Sequence, residues 1–225
     1  MKKNLQAVLI DMDGLIFDTE VIHRLCWVLA GQSLGYEVND EFFKRSTATT
    51  WERTLALLSE LYGKDCPAEA FYQQKKDFFQ DYINANATVL KKGFSELFQW
   101  LLTQPLKLGL VTSSRRSSVE HHFASRNELS SFDTVVTSEQ VVNGKPDPEP
   151  YLLACRKLGV PPEATVVFED SNNGIRSAYT AGCQAIMIPD YLPPEADVQE
   201  HAFSILKSLH DARALILSQF QIEQP

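Results

Sequence analysis

The stretch AVLIDMDGLIFDTE, residues 7–20, ends an apolar run in two aspartates, Asp11 and Asp13, separated by Met12 and followed by Gly14. At that spacing two side chains fall on the same side of an extended chain. Other apolar runs end in similar chemistry: LKLGLV leads to Thr112, Ser113 and Ser114, and TVVF leads to Glu169 and Asp170. Lys145 lies in NGKPDP, on a loop entering a helix. Carboxylates from two strand ends, Asp11 and Asp170, can share one hard cation, and magnesium takes a few carboxylates with waters and a substrate phosphate. A carboxylate beside such an ion can attack phosphorus to give an aspartyl phosphate. Lys145, the Thr112 hydroxyl and the amides around Ser113 and Ser114 are suited to neutralising charge on the transferring oxygens. Asp13 is suited to protonating the leaving oxygen and then activating water. Any one of these residues also fits a turn or a cap. Four strand-to-loop junctions with complementary groups argue for a shared site.

Elements that converge in this way are strands of a parallel sheet, where ligands bind beyond the carboxyl ends. Five short runs read as strands: LQAVLI (5–10), LKLGLV (106–111), FDTVV (132–136), TVVF (165–168) and AIMI (185–188). They are continuous rather than alternating, as in strands covered on both faces. Helix-length segments separate the last four: SSVEHHFASR, Pro148 to Leu158, and Asn173 to Ala181. For the second, Asp147 is the expected N-cap, with Pro148 at the first helical position and Gly159 just past the end. Alternating strand and helix predicts a doubly wound, Rossmann-like α/β core.

Residues 19–88 break that rhythm and show only helical periodicity, with Leu25, Val28 and Leu29, then Leu55, Leu58 and Leu61, then Phe71, Phe78 and Tyr82 as the apolar positions. The expected organisation is a core of residues 1–18 and 89–225 with a helical insert of residues 19–88, and NANATVLKKG (84–93) as the return linker. Hinges are expected near Thr19 and near Ala87, with the insert closing over the strand ends. Trp27, Trp51 and Trp100 read as packing residues, and His121 and His122 as residues of a helix surface. His23, just beyond the first motif, is the histidine best placed to face a cleft between the two parts.

At 225 residues and 44% apolar content the chain can bury a sizeable core. A net charge of -8 argues against nucleic acid or an anionic membrane as partner. Cys26, Cys66, Cys155 and Cys183 are scattered without C-x-x-C spacing, which points to reduced thiols instead of zinc or a redox dithiol. The start of the chain is too mixed for a secretory signal and no run reaches membrane-spanning length. A cytoplasmic, monomeric protein is expected, which makes the sequon at 86–88 a chance one.

DMDGLIFDT, VTSS, GKPDP and VFEDSNNGIRSA, in that order, resemble the four motifs of the haloacid dehalogenase-like hydrolase superfamily, in its phosphatase and β-phosphoglucomutase-like branch. The resemblance implies a helical cap in the place of the insert. It also implies Asp11 as nucleophile, Asp13 as general acid and base, Thr112 as phosphate ligand, and Lys145 as the third-motif lysine. Asp170 would be a magnesium ligand, with Glu169 assisting and the Asp13 backbone carbonyl completing the protein ligands. The expected substrate is a small phosphorylated metabolite, as for the branch's pseudouridine 5′-phosphatases and hexose phosphatases. A phosphomutase of the same fold is the nearest alternative. A metal-free dehalogenase is disfavoured by Asp13, a response-regulator-like receiver by length and insert, and a silent binding module by the complete motif set. Mutases of the branch carry an arginine clamp in a GVSR-like stretch of the cap. The matching stretch here is ATTW, which places Trp51 where a guanidinium would be, although Arg45, Arg53, Lys75 and Lys76 also lie in the insert.

Overall fold

The computed structural model describes residues 2–46, 51–86, 88–190 and 192–222; the side chain of Trp51, the residues before it in ATTW, and Ala87 fall outside what it describes. The chain divides into two compact units, one of Met1–Asp18 with Val89–Pro225 and one of Thr19–Thr88.

In chain order the elements are β1 (Lys3–Leu5), β2 (Ala7–Ile10), α1 (Thr19–Leu34), α2 (Asp40–Ser46), α3 (Trp51–Tyr62), α4 (Ala68–Ala85) and α5 (Phe94–Leu102). There follow β3 (Lys107–Val111), α6 (Arg116–His122), β4 (Thr134–Val136), α7 (Glu149–Leu158), β5 (Thr165–Glu169) and α8 (Asn172–Thr180). The chain closes with β6 (Gln184–Met187), α9 (Ala196–His201), β7 (Ser204–Ile205), α10 (Ala212–Gln219) and β8 (Phe220–Ile222). Six strands form a parallel sheet in the order β4-β3-β2-β5-β6-β7, the doubly wound α/β arrangement expected.

Both faces of that sheet are covered, which is why its strands read as unbroken apolar runs. Val8, Ile10, Leu110, Val166 and Phe168 pack on one face with Phe98 of α5. Leu9, Val111 and Val167 pack on the other with Tyr151 of α7 and Ile175 of α8. The first run is two strands: it jogs at Gln6, whose amide bonds to the Ala164 carbonyl at 2.8 Å, and β1 pairs with β8 in a separate two-stranded sheet. β7 and β8 are too short, at 2 and 3 residues, to carry a period the sequence could reveal.

Two helix expectations shift. SSVEHHFASR yields only α6, because Ala124 and Arg126 donate to carbonyls three residues back and the α ladder gives way to tight turns. α7 starts one residue late, at Glu149, whose amide takes the Asp147 carboxylate at 2.9 Å, and ends as expected at Gly159 with φ 68°.

The helical unit holds α1 to α4. Its buried stripe on α1 is Ile22, Cys26 and Ala30, not the Leu25, Val28, Leu29 set: Leu25 is 41% exposed. Leu58 and Phe71 are buried as expected. Trp27 packs against Phe42, Phe71 and Tyr72, an aromatic cluster internal to this unit. Within the same unit His23 stacks on Phe79 and its Nδ1 lies 2.9 Å from Lys75 Nζ.

The chain leaves and re-enters the core unit at one place. Asp18 N bonds to Val89 O at 3.0 Å and Lys91 N to Ile16 O at 2.8 Å, so outgoing and returning segments run side by side. No helix among the described residues is long and apolar enough to cross a membrane.

Candidate active site

Sheet register assembles the candidate residues. Ile10 pairs with Leu110 on one side and Phe168 on the other, so the next residues, Asp11, Val111 and Glu169, lie at one level at the carboxyl edge of the sheet. Lys145 reaches this edge from the loop before α7, after which the Lys145-Pro146 peptide is cis. Its Nζ lies 2.5 Å from Asp11 Oδ1, 2.5 Å from Glu169 Oε1 and 3.2 Å from the Val111 carbonyl. Those contacts occupy all three ammonium donors.

Glu169 is the most heavily bonded group present. Oε1 accepts from Lys145 and, at 2.7 Å, from the buried Tyr151 hydroxyl. Oε2 accepts from the Asp170 and Ser171 amides at 3.1 Å each and from the Ser171 hydroxyl at 3.0 Å. A carboxylate offers about four lone-pair sites, so these donors saturate it. Ser171 also caps α8 by accepting from the Gly174 amide at 3.0 Å. A β-carbon on Gly174 would lie 1.8 Å from the Glu169 carboxyl carbon, which makes glycine a requirement there. Gly14 is a second such position: its φ is 80° and a β-carbon would lie 2.2 Å from Asp170 Oδ2.

Asp13 faces the β3 end. It accepts from the Ser114 hydroxyl at 2.8 Å and, at a longer 3.4 Å, from the Thr112 hydroxyl. The Ser114 amide in turn donates to Thr112 Oγ1 at 2.9 Å. Ser113 is exposed.

One ammonium stands among three carboxylates, and burial decides how they titrate. Burial, reinforced by Glu169 and Asp13 against the pull of Lys145, pushes Asp11 from 3.8 up to about 8. Asp170 is held well above the ordinary range by burial, then by Glu169 and Asp11. For Lys145 burial works downward, but Asp11 and Glu169 outweigh it and hold the amine above 10.5. Burial likewise opposes ionisation of Glu169, but Lys145 and the hydrogen bonds keep it below 4.5. Glu169 and Lys145 are the settled ion pair, whereas burial disfavours the charged forms of Asp11 and Asp170.

This has a measurable sign. Between pH 6.5 and about 8 the folded chain keeps a proton on Asp11 that the unfolded chain, at 3.8, has released, so stability falls as pH rises. Glu169, being lowered, contributes a slope only near and below 4.5, and Lys145, being raised, only above 10.5. His122, lowered chiefly by burial, gives the opposite slope but only below 6.5. Thermal unfolding in EDTA is expected to show Tm declining across this window more steeply in the wild type than in Asp11→Asn. Equal slopes would mean Asp11 is ionised throughout.

Ligand atoms of Asp11, Glu169 and Asp170 all lie within 4.8 Å of one another. With Glu169 saturated, Asp11 and Asp170 are the carboxylates of this group left to offer a ligand atom, and an all-oxygen set suits a hard divalent ion.

Four residues at this edge lie outside the sequence expectations. Tyr151 was legible only as part of the buried face of α7, with Ala154 and Cys155 at helical spacing. Ser171 carried a recognisable N-cap signal before a helix. His122 is corrected: it is buried, stacked 5.2 Å from the Phe17 ring, and within the electrostatic reach of Asp13. Asp190, beyond β6, sits at the strand end that sequence reasoning did not follow.

The chain as a whole is similar to known proteins. The family profile described as "Haloacid dehalogenase-like hydrolase" matches residues 8–188. The chain is 29% identical to the phosphorylated carbohydrates phosphatase of Thermotoga maritima, over 94% of this chain and 90% of that one. It is 30% identical to the fructose-1-phosphate phosphatase of Escherichia coli, over 83% and 97%. The crystal structure of CbbY from Rhodobacter sphaeroides in complex with phosphate superimposes with a TM-score of 0.68 at 25% identity, covering 92% of this chain and 96% of that one. With a matching profile over most of its length and a fold shared with such structures, the chain belongs to the haloacid dehalogenase-like hydrolase family.

Proposed function

We propose that the chain is a magnesium-dependent phosphatase that hydrolyses a small phosphorylated carbohydrate or similar metabolite through an aspartyl phosphate on Asp11. The observation that carries this reading is the grouping of Asp11, Glu169 and Asp170, their ligand atoms within 4.8 Å of one another, at one strand edge beside Lys145. The names of the relatives support the substrate class: one acts on phosphorylated carbohydrates and another on fructose 1-phosphate.

Asp11 and Asp170, with the Asp13 backbone carbonyl, would hold the ion. The ion supplies positive charge that favours ionised Asp11 and offsets charge on the phosphoryl oxygens. Asp11 attacks phosphorus, and Asp13 gives its proton to the departing oxygen. Asp13 then takes a proton from water as that water attacks the phosphorus of the aspartyl phosphate, releasing inorganic phosphate and restoring Asp11. Lys145 orients Asp11 and stabilises charge on the transferred group, while Glu169 assists by fixing Lys145 and the Asp170 backbone. Thr112 and Ser114, whose hydroxyls hold Asp13 in this structure, turn toward phosphate oxygens when substrate is bound, together with the Ser113 amide.

One ion-pair network in the helical unit favours a phosphatase over a mutase. Arg45, a candidate for a distal-phosphate clamp, is engaged by Glu60 at 2.7 Å and Glu41 at 3.4 Å. The test is phosphate release from sugar phosphates, nucleotides and phosphorylated acids, with magnesium and with EDTA. Magnesium-dependent release is expected, and turnover unaffected by EDTA would remove the metal from this account. Conversion of β-glucose 1-phosphate to glucose 6-phosphate with catalytic bisphosphate and little free phosphate, followed by phosphorus NMR, would establish the mutase instead.

A further inference from the structure

The mechanism above leaves unused one carboxylate at the same edge. Asp190 lies three residues past Met187 at the end of β6, and its side chain is 16% exposed. A β-carbon on Gly14 would meet Asp190 Oδ2 at 3.3 Å as well as Asp170 Oδ2 at 2.2 Å, so the two carboxylates flank the same bare backbone position. Asp190 Oδ1 takes an ion pair from Lys91, which also reaches Asp18 at 3.5 Å. The loop that follows is pinned from α8. Buried Asn172 donates to the Pro193 carbonyl at 3.3 Å and accepts from the Glu195 amide at 2.9 Å, while Arg176 bonds Glu195 and Asp197. Asn172 and Arg176 belong to the fourth motif but touch none of the reacting groups. Holding this loop is the work the geometry gives them.

We propose that Asp190 is a positioning carboxylate for the cation at Asp11 and Asp170, acting on it through coordinated water, with Lys91 as the counter-charge that tempers its field. Asp190 stands outside the set of ligand atoms within 4.8 Å of one another, which makes it an outer partner instead of a direct ligand. Outer partners of this kind typically change metal affinity by about 10- to 100-fold when removed. The inference rests on the metal reading above.

Charge gives the test its sign. Asp190→Asn removes a negative charge near the ion and Lys91→Met removes a positive one, while both break the same ion pair. Calorimetric titration of the substrate-free protein with Mg2+ and with Mn2+ is expected to show Asp190→Asn weaker by about tenfold or more and Lys91→Met tighter than wild type. Thermal unfolding in EDTA checks that each variant is folded; should Asp190→Asn fail to fold, tighter binding by Lys91→Met carries the proposal. A purely structural ion pair would shift both affinities in the same direction, and that result, or an unchanged Asp190→Asn, overturns the proposal. Wild type that binds neither ion would instead overturn the metal reading and this inference with it.

Discussion

Asp11→Asn is expected to yield a folded protein whose turnover is lower by on the order of 10⁵-fold or more, the scale seen when a covalent nucleophile is removed. The amide keeps the shape of the carboxyl and can still accept from Lys145, but it is a poor nucleophile and a poor ligand for a hard cation. Burial already disfavours charge on Asp11, pushing it to about 8, so a neutral replacement costs the fold little. Asp13→Asn makes the informative contrast. It spares the nucleophile and removes the proton donor and base, a loss of about 10²- to 10⁴-fold. With p-nitrophenyl phosphate, whose leaving group needs little protonation, Asp13→Asn should form phosphoenzyme but hydrolyse it slowly. Acid-quenched reactions analysed by intact-protein mass spectrometry would then show the phosphorylated form accumulating in Asp13→Asn and absent from Asp11→Asn. Stoichiometric label on Asp11→Asn would sink the assignment of the nucleophile.

Lys145→Met should be the most damaging substitution for stability. Its ammonium bridges Asp11 and Glu169 with side-chain exposures of 6%, 9% and 1% for the three groups, so all three charges are largely removed from solvent. Taking one partner from a buried ion pair leaves an uncompensated charge and costs about 3–5 kcal/mol. For a chain of this size that lowers Tm by on the order of 10 °C. Glu169 would have to take up a proton to stay buried, so the deficit should shrink as pH falls toward the carboxylate range. Lys145→Arg is not expected to rescue, because a planar fork cannot place donors on Asp11, Glu169 and the Val111 carbonyl at once. A Tm equal to wild type at neutral pH would show that these charges are solvated in a way the geometry denies.

Strand ends were legible because two-face burial writes itself as continuous apolar runs and the polar residue that breaks each run marks the sheet edge. Asp11, Thr112, Glu169 and Asp170 were found in that way. Applying the same logic to AIMI would have led two residues on to Asp190. Tyr151 was hidden for a different reason: on a helix face with Ala154 and Cys155 an aromatic residue looks like packing, and only its hydroxyl, aimed at Glu169, says otherwise. His122 was misplaced because adjacent histidines on a short helix cannot both share one face, and nothing local says which turns inward. The helical unit was visible as a unit, but the α1 stripe was missed because Cys26 and Ala30 are small and Leu25 is large. Size is a poor guide to burial where helices approach closely.

The paired segments at Asp18 and Val89 bear on how such a chain is put together. Two chain ends one hydrogen bond apart, at 3.0 Å, form a port through which any length of polypeptide can be looped out. Closing a loop costs free energy that rises only with the logarithm of its length, and that cost is met at the port, by the Asp18 to Val89 and Lys91 to Ile16 bonds, without drawing on the sheet. The parallel sheet can therefore keep its register while the 70 residues between Thr19 and Thr88 are exchanged, lengthened or replaced by a short turn. Reaction chemistry and the excursion it carries are then free to diversify at separate rates.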